Sequence, residues 1–195
     1  MVELALEPIV TSLIALLIIM DPFSSIPAFL GLTKKMDGKQ KADAALTAAL
    51  VAGGVTVGFA LAGMELLAVL GVRLHSFQVA GGLLLLLAAI QFAFGIKFGE
   101  KEGKSKASLA IVLIGVPLIA GPGTMTTAVL LAGTHGIVVV VVAALIATAV
   151  AYIILRASSA IGRLLGARGL EISSRLMGIL LAAIGVEYIR LGFGF

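Results

Sequence analysis

The stretch Asp21-Pro22-Phe23-Ser24-Ser25-Ile26-Pro27-Ala28-Phe29 is a polar, proline-bracketed break inside an otherwise apolar run from Leu4 to Leu32. Apolar runs of that length belong in lipid, where a helix is interrupted only if protein or a water-filled cavity satisfies the freed backbone groups. The break is therefore read as a site. Asp before Pro is also a helix-start signature, with Asp at the N-cap and Pro at the first helical position, where its missing N–H costs nothing. The reading is two half-helices, Ile9 to Met20 and Pro22 to Leu32. At 1.5 Å per residue they cover about 18 and 16 Å and together cross a hydrocarbon core of about 30 Å.

A second break lies one hundred residues on, where Gly121-Pro122-Gly123-Thr124-Met125-Thr126-Thr127 interrupts the apolar run from Ala107 to Leu131. Pro again stands at the expected start of a resumed helix, followed by a cluster of hydroxyls. Paired interruptions at corresponding places in two halves are the sequence pointer to the substrate site of a secondary transporter built from repeats.

Outward from the breaks, the chain reads as membrane throughout. Its 195 residues are 61% hydrophobic and 12% charged, with a mean hydropathy of +1.20, outside the soluble globular range. Met1-Val2-Glu3-Leu4 lacks a basic n-region, so the first apolar run is expected to remain as a helix. Met1 to Pro8 is expected at the interface, Thr33 to Lys41 as a polar loop, and Ala44 to Met64 as the second span. Within that span, Gly54, Gly58 and Ala62 form a small-residue face suited to close helix contact. Gly71 to Ser76 reads as a turn and Phe77 to Ile96 as the third span, with Gln91 as its strongly polar member. Lys97 to Lys106 is the most charged stretch and reads as a connector. Ser108 to Leu131 is the second broken span, Gly133-Thr134-His135-Gly136 a tight turn, and Ile137 to Leu155 the fifth span. Arg156 to Arg175 reads as a basic loop, and Leu176 to Phe195 as the last span, carrying Glu187, Tyr188 and Arg190.

The expectation is thus an all-α membrane protein of six transmembrane helices in one membrane domain, 1–195. Repeat 1 covers about 1–99, a cytoplasmic connector about 97–107, and repeat 2 about 108–195. Twelve of the fourteen Lys and Arg fall in the first, third and fifth loops, leaving only Arg73 and Arg190 on the other side. By the positive-inside rule those loops are cytoplasmic and both termini lie outside the cell membrane. Three helices per half is an odd number, so the second half runs inverted relative to the first. Gly82, Gln91 and Phe92 match Gly178, Glu187 and Tyr188 at a constant offset of 96.

Inversion brings both resumed half-helix N-termini to the midplane, each with about half a positive charge and unpaired N–H groups, so a carboxylate would bind there. The donors would be the backbone around Phe23 to Ser25 and Gly123 to Met125. The hydroxyls of Ser24, Ser25, Thr124, Thr126 and Thr127 would assist, and Gly121 and Gly123 would let a ligand approach the backbone. Asp21 adds a negative charge, so a ligand with a carboxylate and an ammonium a few ångströms apart fits, and the lack of charged or aromatic neighbours favours a small neutral side chain. Gln91 and Glu187 are secondary candidates, with Asp21, for coupling.

Blander roles stand beside these. Asp21 can be a structural cap, the Pro-Gly pair a kink, Gln91 helix glue, and Glu187 the partner of Arg190 three residues on. The absence of Cys excludes disulfides and thiolate chemistry. Asp21 is the one Asp within a span and both His fall in loops, so neither an aspartyl nor a metal-dependent enzyme is expected and no metal or cofactor is called for. The basic residues form no single stripe, which argues against nucleic acid as a partner. Oligomeric state is not read from the sequence.

These motifs resemble the MarC family of membrane proteins over essentially the full chain. The family's second signature, Pro-Leu-x-Ala-Gly-Pro-Gly, stands whole as Pro117-Leu118-Ile119-Ala120-Gly121-Pro122-Gly123. Its first stands as Asp21-Pro22 with Pro27 and Phe29, with Ser24 and Ser25 where the family more often has Gly and Asn. Within the family the likeness is to the small neutral amino-acid transporter branch. That resemblance implies alternating-access transport of glycine, alanine and serine-type substrates coupled to an ion gradient, H+ or Na+. The other reading is a channel or exporter for another small polar solute, such as a short organic acid.

Overall fold

The computed structural model describes residues 2–94 and 119–194. Seven helices follow one another among them: α1 (Val2–Met20), α2 (Ile26–Leu32), α3 (Gly38–Val69), α4 (Leu74–Phe94), α5 (Pro122–His135), α6 (Ile137–Arg156) and α7 (Ser158–Phe193). Four stretches are long and apolar enough to cross a bilayer: Gly38–Val69, Leu74–Phe94, Ile137–Arg156 and Arg168–Phe193; α1 adds the shorter apolar Leu6–Met20. The protein is all-helical and multi-pass. The expected connector 97–107, the chain from Ser108 to Leu118, and Pro117 with Leu118 of the second motif lie outside the described residues.

The first resumed helix starts later than expected. Pro22 to Ser25 form a turn, and α2 begins at Ile26 with Pro27 in its first turn. The reason is Asp21, whose φ of 36° is left-handed and takes the chain out of the helical path. The second break behaves as expected, since α5 begins at Pro122 with Gly121 as N-cap.

The loops are shorter than the polar residues suggest. The expected interfacial segment Met1 to Pro8 is helical from Val2 onward. Asp37 starts α3 through a capping box, its carboxylate accepting from Gln40 N–H at 2.8 Å while Gln40 Oε1 accepts from Asp37 N–H at 3.0 Å. The loop read over Thr33 to Lys41 therefore closes at Asp37, and the span read as Ala44 to Met64 is the middle of a 32-residue helix. His75 and Ser76 belong to α4. Gly133 to His135 belong to α5, and the turn into α6 is made at Gly136, φ 89°.

The basic loop expected over Arg156 to Arg175 is helix instead. Only Gly166, at φ 64° and ψ 179°, leaves the helical conformation and kinks α7. Leu170 is buried in this stretch, Glu171 and Arg175 pair at 2.5 Å one turn apart, and Gly162 lies against Leu30 of α2. Packing overrides the Gly and Ser content.

Helix contacts in the interior run through small residues. One buried cluster joins Leu16 and Met20 of α1 and Phe29 of α2 to alanines of α3 and α6, with Ile119 and Ala120 ahead of α5. The most extensive helix pair is α4 with α7, antiparallel: Gly82 meets Gly185, Ala89 and Ala93 meet Gly178, and His75 and Val79 meet Gly192. A Cβ on Gly178 would stand 2.6 Å from Ala93 N and 2.9 Å from Ala89 O, and on Gly82 2.5 Å from Gly185 O. Lipid tails give no hydrophobic drive between helices, so such close backbone approach is what holds this pair.

Gly178→Ala is expected to lower stability by about 1–3 kcal/mol, because the obstacle is backbone and cannot yield. Thermal unfolding in detergent checks this. Gly58→Ala, where nothing lies within 4 Å of the added carbon, should leave the melting temperature essentially unchanged.

Candidate functional site

At the first break, the N–H of Asp21 donates to Leu17 O at 3.1 Å, the last helical bond of α1. Two of the carbonyls that follow lose their usual donors. Pro22 has no N–H for Ile18 O, and the N–H of Ser24 donates to Asp21 Oδ1 at 3.2 Å rather than to Met20 O. Ser25 Oγ–H donates to Asp21 O at 3.2 Å, and Ile26 N–H to Phe23 O at 3.1 Å. Asp21 therefore does cap, but it caps the turn 22–25 rather than a helix starting at Pro22. Asp21 and Ser24 are 2% and 7% exposed, and Asp21 Oδ2 and Ser24 Oγ are both buried without a hydrogen-bond partner.

The second break is laced by its own hydroxyls. Thr124 Oγ1–H donates across it to Ile119 O at 3.0 Å, and Thr127 Oγ1–H to Gly123 O at 2.8 Å. Tyr188, from α7, donates its phenol O–H to Thr127 Oγ1 at 2.9 Å. Gly121 offers no side-chain cap, so the N–H groups of Gly123 and Thr124 at the head of α5 are not capped. Thr124, Thr126 and Thr127 are buried, while Met125 is half-buried.

The two breaks meet. A Cβ on Gly123 would stand 3.3 Å from Ile19 Cγ2, at the end of α1, and would collide with Leu85 of α4. A Cβ on Gly81 would collide with Thr126. The C-terminal end of α1 and the N-terminal end of α5 thus lie side by side, roofed by α4. Their dipoles present opposite partial charges, negative from α1 and positive from α5.

Of the residues expected here, Asp21, Ser24, Ser25, Gly121, Gly123, Thr124, Thr126 and Thr127 belong to the two breaks and Met125 borders them. Phe23 is 37% exposed. Gln91 is half-buried in the last turn of α4. Glu187 is on an exposed face of α7 and binds Arg190 through two bonds of 2.9 and 2.6 Å, so it takes no part in the breaks. Gln78 is a residue the sequence reading passes over. Its Oε1 is buried without a partner one turn before Gly81 and Gly82, and its polarity inside an apolar helix is the available signal. Tyr188 is likewise named in sequence only as a repeat match, because a bond spanning 61 residues leaves no local trace. An apolar groove of about 280 Å³ on α3, lined by Val55, Gly58, Phe59, Ala62, Gly63 and Leu66, offers almost no polar surface to a polar solute. Among the described residues no group of three or more His, Cys, Asp or Glu could hold a metal ion.

Buried helix ends set face to face inside an apolar helical body define an integral, multi-pass membrane protein with discontinuous helices. The chain belongs to the MarC family of integral membrane proteins, whose family model matches residues 6–193. Three relatives illustrate the likeness. A UPF0056 membrane protein of Aquifex aeolicus is 32% identical over 192 residues, covering 92% of this chain and 89% of the relative. The UPF0056 inner membrane protein YhgN of Escherichia coli K12 is 31% identical over 185 residues, covering 93% and 94%. A UPF0056 membrane protein of Archaeoglobus fulgidus is 30% identical over 188 residues, covering 91% and 88%. No solved structure matches the chain.

Tyr188→Phe removes the donor to Thr127 Oγ1 and nothing else that is polar. It is expected to cost about 0.5–1 kcal/mol, and Thr127→Val in the same background should cost less than it does alone. A double-mutant cycle on thermal unfolding in detergent measures both.

Proposed function

We propose that the protein is a secondary transporter of small neutral amino acids, of the glycine, alanine and serine type, working by alternating access around the paired breaks and coupled to an H+ or Na+ gradient. The observation that carries this reading is the contact between the end of α1, with Asp21, and the head of α5, with Gly121 and Gly123. A zwitterion laid across that contact has its ammonium at the negative end and its carboxylate at the positive one. A buried carboxylate with an open oxygen and two uncapped N–H groups are what a carrier with one tight site needs, whereas a channel needs several weak ones.

In this reading the whole chain is one membrane domain of six crossings, with repeats of about 1–99 and 108–195 joined by a cytoplasmic connector. Both termini lie outside the cell membrane. What supports the inverted repeat is reciprocity of contacts. The first broken helix packs on α6 and the second on α3; α2 packs on α7 and α5 on α4. At the 96-residue offset, exchanging halves converts the Gly82–Gly185 contact into Gly178–Ala89, which is also made, and Leu85 and Leu181 share one buried cluster.

Uptake of labelled glycine into proteoliposomes, with and without imposed proton and sodium gradients, tests the reading. Saturable uptake that alanine and serine compete, and lysine and succinate do not, is the expected result. Asp21→Asn, which tolerates the left-handed backbone, should abolish uptake while leaving helical content intact. If glycine stays outside under every gradient and succinate enters, the solute is a short organic acid and the amino-acid reading falls.

A further inference from the structure

Asp21 is a carboxylate in the middle of an apolar body, and no ion pair reaches it among the described residues. Its Oδ1 receives one backbone N–H, while Oδ2 receives nothing. Burying a charge in that state is expensive unless something neutralises it. Ser24 Oγ, on the same turn, is likewise buried without a hydrogen-bond partner. Beside these two stand the carbonyls of Ile18, whose usual helical donor would be Pro22, and of Met20, whose usual donor is turned to Asp21. These carbonyls sit at the negative end of α1.

We infer that this cluster, Asp21 Oδ2, Ser24 Oγ and the carbonyls of Ile18 and Met20, binds a desolvated monovalent alkali cation. Hard oxygen ligands, unwound backbone carbonyls and a helix C-terminus are the elements from which membrane carriers build such sites. A divalent ion is disfavoured, since one carboxylate would leave half its charge uncompensated in a dry interior. Ser24 Oγ lies beside the Asp21 carboxylate, so the two can share one ion. As a coupling ion the cation rests on the transport reading above and takes Asp21 Oδ2 in place of the substrate's ammonium; as a bound ion it does not rest on that reading.

The test is thermal unfolding of the purified full chain in detergent, without amino acid, titrated with NaCl or KCl against choline chloride at constant ionic strength. The melting temperature should rise by several degrees with one alkali ion and saturate, as linkage requires of a ligand bound by the folded state. Ser24→Ala deletes one ligand and keeps the backbone bond from Ser24 N–H to Asp21 Oδ1, so it should retain its helical content and need about tenfold more salt for half the effect. Asp21→Asn should abolish the effect. The inference is overturned if the wild type is indifferent to both ions, if the salt effect survives in either variant at its original midpoint, or if glycine alone stabilises the protein without regard to the salt. The last outcome would give the cluster to the substrate's ammonium. Glycine uptake indifferent to alkali ions would remove the cation's coupling role and leave the carrier, and a saturable salt effect without glycine uptake would leave the bound ion and remove the carrier.

Discussion

Inside a bilayer, a carbonyl that loses its donor to a proline cannot turn to water, and the arrangement of this molecule follows from how its two breaks meet that constraint. At the second break, side chains replace the missing backbone bonds. Thr124 reaches back to Ile119, Thr127 to Gly123, and Tyr188 arrives from α7 to support Thr127. At the first break the replacement is incomplete. Asp21 organises the turn by accepting from Ser24 and offering its carbonyl to Ser25, yet one carboxylate oxygen and one hydroxyl are left facing the interior. The breaks therefore differ in chemical character, acceptors on one side and uncapped donors on the other. They can lie side by side because glycine at position 123 lets Ile19 and Leu85 come close.

Much of this was legible in the sequence, and the parts that were not have local causes. The breaks are visible because Pro, Gly and hydroxyl residues have no other reason to cluster inside long apolar runs. The start of α5 at Pro122 follows from proline's fixed φ and missing N–H. The start of α2 does not follow from the same rule, because a single left-handed residue at Asp21 inserts a turn before the helix resumes. Helix ends are misjudged where charge is taken for a loop. Lys39, Lys41 and Asp43 ride on the first turns of α3, and Arg163, Arg168 and Arg175 on α7, whose one real interruption is Gly166. Polar residues mark the membrane boundary of a helix, not its end.

Site membership was legible as a neighbourhood rather than as a bonding pattern. Glu187 looks like a counterpart of Gln91 by offset, but its helical phase sets it on the outer face beside Arg190, three residues along. Tyr188, its neighbour, faces inward and reaches the second break. One residue of phase on a helix is about 100°, and that separates a surface ion pair from a buried hydroxyl relay. The hydroxyls expected to meet a ligand are for the most part already donating to carbonyls, a consequence of three-dimensional proximity that spacing alone does not encode.

The contact between α4 and α7 also fixes when the central region can exist. Ile19, at the end of α1, is buried in a cluster with Leu85, Ala89 and Leu181, and Leu181 belongs to α7, which is synthesised after α1 to α6. Those earlier helices can enter the bilayer one by one, but the first break has no finished surroundings until α7 docks along the glycines of α4. The centre of this molecule is therefore assembled late. A nascent chain halted before α7 would hold every residue of both breaks and still lack the wall and the tyrosine that bring them to their final form.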